Sequence, residues 1–499
     1  MNLLTDPDHC GRCDSPCGAD AQCLGGSCVG IVNLRAPEDF HGFVLTDGAY
    51  RLRWVDTNTD EETYLLEQRD PSESDFTLLA ELPADATEFV DTAFIQSVGT
   101  IYRLRAEALE LQGPAVSVDS SHKLWTYISI LNFDSTAWDT WPPEENYENL
   151  ISYRIPYRLE GYGDSENLDV VVLGDAYGDI GSIYAHARTY ESDIFPQPEL
   201  AMNDVNTYKD FFDWVVAEHP GQRYLVEYLG IGVGVAVQEG FLGFDDTSGS
   251  VGLSPAEVAD VLRHLADSSG RPVDLFCICT PFNQMIESAY AMRGAVQYIV
   301  ASEATGECGF PPLSVLGPEQ DLSPRNLAIG AVDVNELTSD PESNFIVSAV
   351  DVDAAADVVA ALDVLAVLLL DLLDADPQIA DEIRTAAGEA QSMAVPNTSG
   401  TSGVFVDVYD LCAKIDTTLS NPDVHNACYE IVTLLTDSFV VRNLVFNPLG
   451  DYPDAHGISI YHPNPDYSTY WTGAVEGYKS LAFATDTQWD EYIFTLYPP

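Results

Sequence analysis

The stretch DLFCICTPFNQMIESAY, residues 274–290, decides the fold. Asp274 to Cys279 is an apolar run of strand length, Pro281 stops it, and beyond Gln284 the residues Met285, Ile286, Ala289 and Tyr290 recur at helical spacing. Strand, sharp break and helix is the local pattern on which many α/β enzymes place a nucleophile. The flanking sequence repeats the alternation. Strand-like WTYISIL (125–131), LDVVVLGD (168–175), RYLVEYLG (223–230) and VQYIVAS (296–302) are interleaved with helix-like VNTYKDFFDWVVAEH (205–219), SPAEVADVLRHLAD (254–267) and QMIESAYAMR (284–293). Such alternation predicts an α/β sandwich with a mainly parallel sheet and helices on both faces. Chemistry in these sheets gathers at the carboxyl ends of the strands, here YLGIGVG (228–234) and CICTPF (277–282).

The chain has 499 residues, more than one core accommodates, so two or three domains are expected. Its 80 acidic residues face 21 basic ones, for a net charge of -59, and the only lysines are Lys123, Lys209, Lys414 and Lys479. A surface of this sign excludes nucleic acid as a partner, because phosphate binding needs basic groups. The acids are spread along the chain rather than gathered in a tail, a pattern expected of a protein working in high salt, where screening suppresses self-repulsion. The longest apolar stretch, VVAALDVLAVLLLDLL (358–373), is interrupted by Asp363 and Asp371 and predicts an amphipathic helix packed on a core, not a membrane span. MNLLTDP lacks the basic start and apolar core of a secretory signal.

Cys10, Cys13, Cys17, Cys23 and Cys28 crowd a Gly-rich segment, residues 1–30, that has too few apolar residues to build a core, so disulfides are expected to hold it. A zinc knuckle would want matched Cys-x-x-Cys units, and only Cys10 with Cys13 fits. The segment resembles the stigma-specific-protein-like cysteine repeat of secreted bacterial proteins, in which a further cysteine precedes. That resemblance implies an exported, secreted or cell-surface protein whose native chain begins upstream of Met1. Residues 31–117 carry short alternating runs at sandwich-like spacing. Trp54 and the alternating Tyr102, Leu104 and Ala106 resemble the core tryptophan and tyrosine-corner strand of a fibronectin type III β-sandwich.

Residues 124–499 resemble the clostripain family of cysteine peptidases. The family carries an Asp-hydrophobic-hydrophobic-Gly-Phe-Asp-Ala-Cys-Leu-Met segment followed by Glu and Ala-Tyr, and Asp274, Glu287, Ala289 and Tyr290 match it without gaps. VNTYKDFFDWVVAEHPGQRYLVEY, VQYIVASEATGECGFPP, HGISIYHP and LAFATDTQWDEYI resemble further family segments. The resemblance implies a caspase-like α/β/α fold in which a His-Cys dyad cleaves peptide bonds after basic residues. On this register the family cysteine falls on Pro281, which has neither thiol nor N–H. The specificity-pocket aspartate falls on Cys279, and the histidine falls on Gly230 or Ile231. No histidine stands between His219 and His264.

The reading is therefore a family homologue lacking its dyad, which binds a protein or peptide instead of cutting one. Two alternatives differ in class. An active endopeptidase would relocate its nucleophile to Cys279 and draw a base from His186, His264, His456 or His462; a structural cell-surface protein would have a filled cleft. Cys279 lies two residues before the family position, a shift of roughly 6–7 Å along a strand, too far for one oxyanion hole. Cys277 shares its face and is expected as a buried apolar residue, while Cys308, Cys412 and Cys428 are core thiols or one bridge and a remainder. No cofactor is assigned. Calcium, which the family favours, would have GFDDTS (243–248) and SAVDVDAAAD (348–357) as acidic clusters, but neither has the ligand spacing of a known calcium loop, and solvated acids are expected there.

Overall fold

A computed structural model describes residues 21–24, 27–30, 33–109, 111–135, 142–156, 165–187, 192–232, 234–235, 241–249, 251–304, 322–337, 345–393, 405–446, 450–463 and 477–498. The chain divides into two compact units, Met1–Leu124 and Trp125–Pro499.

In the first unit, β1 (Ala21–Leu24) and β2 (Ser27–Gly30) form a hairpin that sets Cys23 opposite Cys28. Cys23 is buried and disulfide-bonded. Cys10, Cys13 and Cys17 lie outside the described residues. Two antiparallel sheets follow. One orders β3 (Glu38–Val44), β4 (Tyr50–Val55) and β7 (Glu88–Asp91). The other runs β10 (Val116–Asp119), β8 (Ile101–Ala108), β5 (Thr63–Arg69) and β6 (Thr77–Pro83), with β9 (Leu111–Gln112) beside β8. Strict alternation along β8 buries Tyr102, Leu104, Ala106 and Ala108, the first three in one core with Leu52, Trp54, Tyr64 and Leu66. The Tyr102 hydroxyl reaches inward and donates to Asp91 Oδ2 at 2.8 Å.

The second unit is built on nine strands: β11 (Lys123–Phe133), β12 (Leu168–Ala176), β13 (Ile183–Ala187), β14 (Ser192–Pro196), β15 (Gly221–Leu229), β16 (Val273–Cys279), β17 (Val296–Ala301), β18 (Phe345–Asp351) and β20 (Val440–Phe446). Their order is β14–β13–β12–β11–β15–β16–β17–β18–β20. Pairs β11/β12, β15/β16 and β16/β17 are parallel, and the pairs toward both edges are antiparallel. A two-stranded ladder of β19 (Phe405–Asp407) and β21 (Ser459–Tyr461) completes the unit. All residues of β12 and β16 are buried, so both faces of the central sheet are covered, as the continuous apolar runs predict.

The helices begin and end where local chemistry says they should. Ser254 and Glu257 form a reciprocal capping box at the start of Pro255–Ser269, and Gly270, with φ +79°, closes that helix in the left-handed conformation. The long helix Ala355–Ala375 buries Val358, Val359, Leu362, Leu365, Ala366, Leu369 and Leu373, the face opposite its aspartates. Among the described residues no helix is long and apolar enough to cross a membrane.

Candidate functional site

Strands β15 and β16 pair in parallel with Leu229 opposite Cys279, so their following turns emerge side by side at the carboxyl end of the sheet. Asp274 fixes this register from the other end. Its Oδ2 accepts the Tyr224 amide at 2.8 Å and its Oδ1 accepts Arg271 at 2.6 Å. The two turns touch: a Cβ added at Gly232 would run into Thr280 Oγ1 and Asn283 Nδ2. Gly230 is hemmed in too, with the Asn132 carbonyl and the Tyr228 hydroxyl each 2.9 Å from where its Cβ would stand. A histidine at Gly230 would therefore press on the Asn132 backbone.

Thr280–Asn283 is tied within itself and to the neighbouring strand. Asn283 Nδ2 donates to Thr280 Oγ1 and, at 2.7 Å, to the Pro281 carbonyl. The Phe282 amide donates to the Ala304 carbonyl, and the amides of Asn283 and Gln284 both donate to that of Ser302, each at 3.0 Å. Phe282 adopts φ +57°, uncommon for a residue with a side chain, and its buried ring packs against Phe405 at 5.8 Å. The three amides after Pro281 are thus engaged inside the fold.

Cys277 and Cys279 are both buried, and the Cys279 sulfur lies 3.7 Å from Glu227 Oε1. Glu227 is itself fully buried on β15, its Oε2 accepting from Tyr127 at 2.5 Å and Ser129 at 3.0 Å. Nothing in the reading of RYLVEYLG as a buried strand anticipated this polar cluster, although a glutamate interrupting an apolar run is its signal. None of the four candidate substitute bases has a described contact with Cys279. His186 sits on β13, four strand spacings or roughly 19 Å across the sheet from β16. His264 Nε2 pairs with Asp213 at 2.7 Å on the surface. His456 stacks on Tyr409 at 4.0 Å and faces Asp407, whose hydrogen bond and charge raise its pKa against the opposing effect of burial. His462 is buried with Nε2 3.0 Å from the Tyr492 hydroxyl, and burial pushes its pKa down to about 4.

The matched Glu287 serves the fold. It is buried in the helix Ile286–Ala291, where Oε1 accepts the Tyr461 amide at 2.8 Å and the Tyr478 hydroxyl at 3.0 Å, tying the HGISIYHP segment to the helix after the turn. Burial pushes its pKa up to about 7.

At the carboxyl ends of β11 and β12, Asp134 and Asp175, with Glu199, bring carboxylate oxygens within 4.8 Å of one another. Asp175 and Asp134 are buried, and Asp134 Oδ1, Asp175 Oδ2 and Glu199 Oε1 have no hydrogen-bond partner among the described residues. Burial, with the nearby Asp245, raises Asp134 to about 7; burial also raises Asp175 and Glu199. Asp245 belongs to GFDDTS, where solvated acids were expected; instead it is fully buried, accepting the Met202 and Ser248 amides. An all-oxygen set of this kind suits a hard cation such as calcium, with Asp134, Asp175 and Glu199 as its holders. In SAVDVDAAAD, Asp351 instead accepts the Asp353 amide at the start of a helical turn. Cys412 and Cys428 are buried thiols in neighbouring helices, their hydrogen bond raising the pKa of Cys412; Cys308 lies outside the described residues.

A sequence profile of the clostripain family matches residues 143–495. The chain is similar to the structure of an inactive zymogen C11 protease from Parabacteroides distasonis, at 16% identity over 74% of this chain and 99% of that one, with a TM-score of 0.50. It is also similar to a secreted C11 cysteine protease from Bacteroides thetaiotaomicron in complex with an irreversible peptide inhibitor, at 14% identity over 72% and 99%, with a TM-score of 0.51. At these identities the likeness is one of fold. No curated protein matches the chain.

Proposed function

The chain belongs to the clostripain family, and from that premise we propose that it is an exported member that has lost the His-Cys dyad and binds a protein or peptide ligand without cleaving it. In this proposal Pro281 is read as the family nucleophile's position, and one observation supports it: the three amides that follow Pro281 are hydrogen-bonded to Ser302 and Ala304. Cysteine-peptidase chemistry needs a thiolate, an adjacent imidazole and oxyanion donors together. Cys279 does not replace the missing thiol, because its sulfur is buried beside the carboxylate of Glu227, an environment that disfavours a thiolate. The bound peptide inhibitor of the Bacteroides relative supports a peptide as the ligand class, and the net charge of -59 supports a cationic one. Export is supported by the disulfide at Cys23 and by the secreted character of that relative. The first unit, with Trp54 and Tyr102 in its core, is read as a fibronectin type III-like module, with residues 1–30 before it as a disulfide-rich repeat.

The closure of the β15 turn onto Thr280 and Asn283 favours a second reading, a structural surface protein whose cleft is filled. Two measurements separate the possibilities. Hydrolysis of Arg- and Lys-containing peptides is measured in high salt with calcium, so that an acidic protein is not inactive merely through unfolding. No turnover is expected; turnover that vanishes in Cys279→Ser overturns the proposal in favour of the relocated nucleophile. Calorimetric titration with basic peptides then decides between binding protein and structural protein, saturable heat supporting the first and its absence the second.

A further inference from the structure

At the opposite end of the sheet from Pro281, three elements converge on one point. Asp169 is the second residue of β12, His186 lies on β13, and His219 follows the helix Val205–Glu218. One ligand atom from each lies within 4.8 Å of the other two. His186 Nε2 is 3.5 Å from Asp169 Oδ1, and His219 Nδ1 is 3.6 Å from Asp169 Oδ2. The rings stand 4.2 Å apart, and all three side chains are only 11–12% exposed.

These separations are too long for N–H···O hydrogen bonds, which cluster near about 2.9 Å. Two ligands bound at about 2.0–2.1 Å to a tetrahedral zinc ion stand about 3.3 Å apart, close to the spacing found. His186 Nε2 is buried with no hydrogen-bond partner among the described residues, an arrangement that needs an explanation in a native protein. His219 is held from both sides, its carbonyl accepting Thr126 Oγ1 at 2.9 Å and its ring meeting Trp214 edge-on at 4.9 Å. We infer that Asp169, His186 and His219 form a binding site for a divalent transition metal, zinc first among them. Two imidazoles and a carboxylate select such an ion over calcium or magnesium, which prefer all-oxygen sets. Water completes the coordination, and the ion fastens the β12–β13 hairpin to the helix end that feeds β15. The site stands apart from the turns after β15 and β16, so the inference does not depend on whether this protein cleaves peptides.

The test uses the full chain with disulfides intact, stripped with a chelator and titrated with zinc against a chromophoric competitor. One equivalent is expected to bind and to raise the thermal midpoint. His186→Gln and His219→Gln are each expected to weaken that equivalent on the order of 100-fold, at least the loss seen when a metal ligand's supporting partner is removed. The double variant should lose both the binding and the midpoint shift, while His425→Gln, at an exposed histidine paired with Asp416, should keep them. Zinc uptake equal in wild type and double variant overturns the inference, since the metal would then sit on other acids or on the N-terminal cysteines. Should the double variant fail to fold, cobalt-loaded wild type decides alone: ligand-field bands of a four-coordinate nitrogen–oxygen site support it, and a spectrum like that of the hydrated ion overturns it.

Discussion

Replacing Glu287 with Gln isolates the energetic consequence of one buried carboxyl. Glu287 is fully enclosed, with Oε1 satisfied by Tyr461 and Tyr478 and Oε2 without a hydrogen-bond partner among the described residues. Burial lifts its pKa from 4.5 to about 7 in the folded chain. A carboxyl raised on folding takes up a proton as the chain folds, so its contribution to stability is fully present below about pH 4.5 and is lost as pH rises through about 7. Between pH 5 and pH 8 the loss from this one group is about 2.5 kcal/mol, taking about 1.4 kcal/mol per unit and allowing for partial ionisation at both ends. Gln keeps the carbonyl acceptor for Tyr461 and Tyr478 and cannot ionise. The assay is urea unfolding followed by tryptophan fluorescence at fixed high salt, at pH 5 and pH 8, for wild type and Glu287→Gln. Other buried acids titrate alike in both proteins and cancel in the difference. Gln should gain about 2–3 kcal/mol on wild type in going from the lower to the higher pH. Equal pH dependence in the two proteins would refute the assignment of a neutral Glu287.

Native protein should resist alkylation at Cys277, Cys279, Cys412 and Cys428, all buried, and react there only after denaturation; mass spectrometry that finds Cys279 labelled in the folded state would contradict its enclosure beside Glu227. Gly232→Ala should destabilise the large unit by about 1–3 kcal/mol, because the new methyl meets Thr280 and Asn283; an unchanged urea midpoint would show that the two turns are not in contact. A histidine placed at Ile231 should be accommodated in the fold where the same change at Gly230 is not, as read by soluble yield and thermal midpoint.

The strand and helix pattern of the large unit was legible because the central strands are covered on both faces and read as unbroken apolar runs. VDLFCIC became β16 and RYLVEYL lies within β15, with the helix between them where apolar periodicity and the Ser254 cap put it. The neighbouring placement of Pro281 and the YLGIGVG turn was also legible, since it follows from parallel pairing of two strands whose ends were visible. What escaped was everything made by contact across long sequence distance. Glu227 meets Tyr127 and Ser129 from about a hundred residues away, and Asp169, His186 and His219 come from three elements with no shared spacing. Asp245 looked like a surface acid because composition reports polarity and not burial; its enclosure depends on backbone amides of Met202 and Ser248 that no local pattern reveals.

The amides of Phe282, Asn283 and Gln284, held by the carbonyls of Ser302 and Ala304, also bear on how this chain can evolve. Under the proposed reading, a thiol introduced at position 281 would have neighbouring amides already committed, and a histidine introduced at Gly230 would press on the Asn132 carbonyl. On that reading neither change alone would restore peptide cleavage, and substitutions in these turns would be filtered by packing alone, so that the loss of such a site would act as a ratchet.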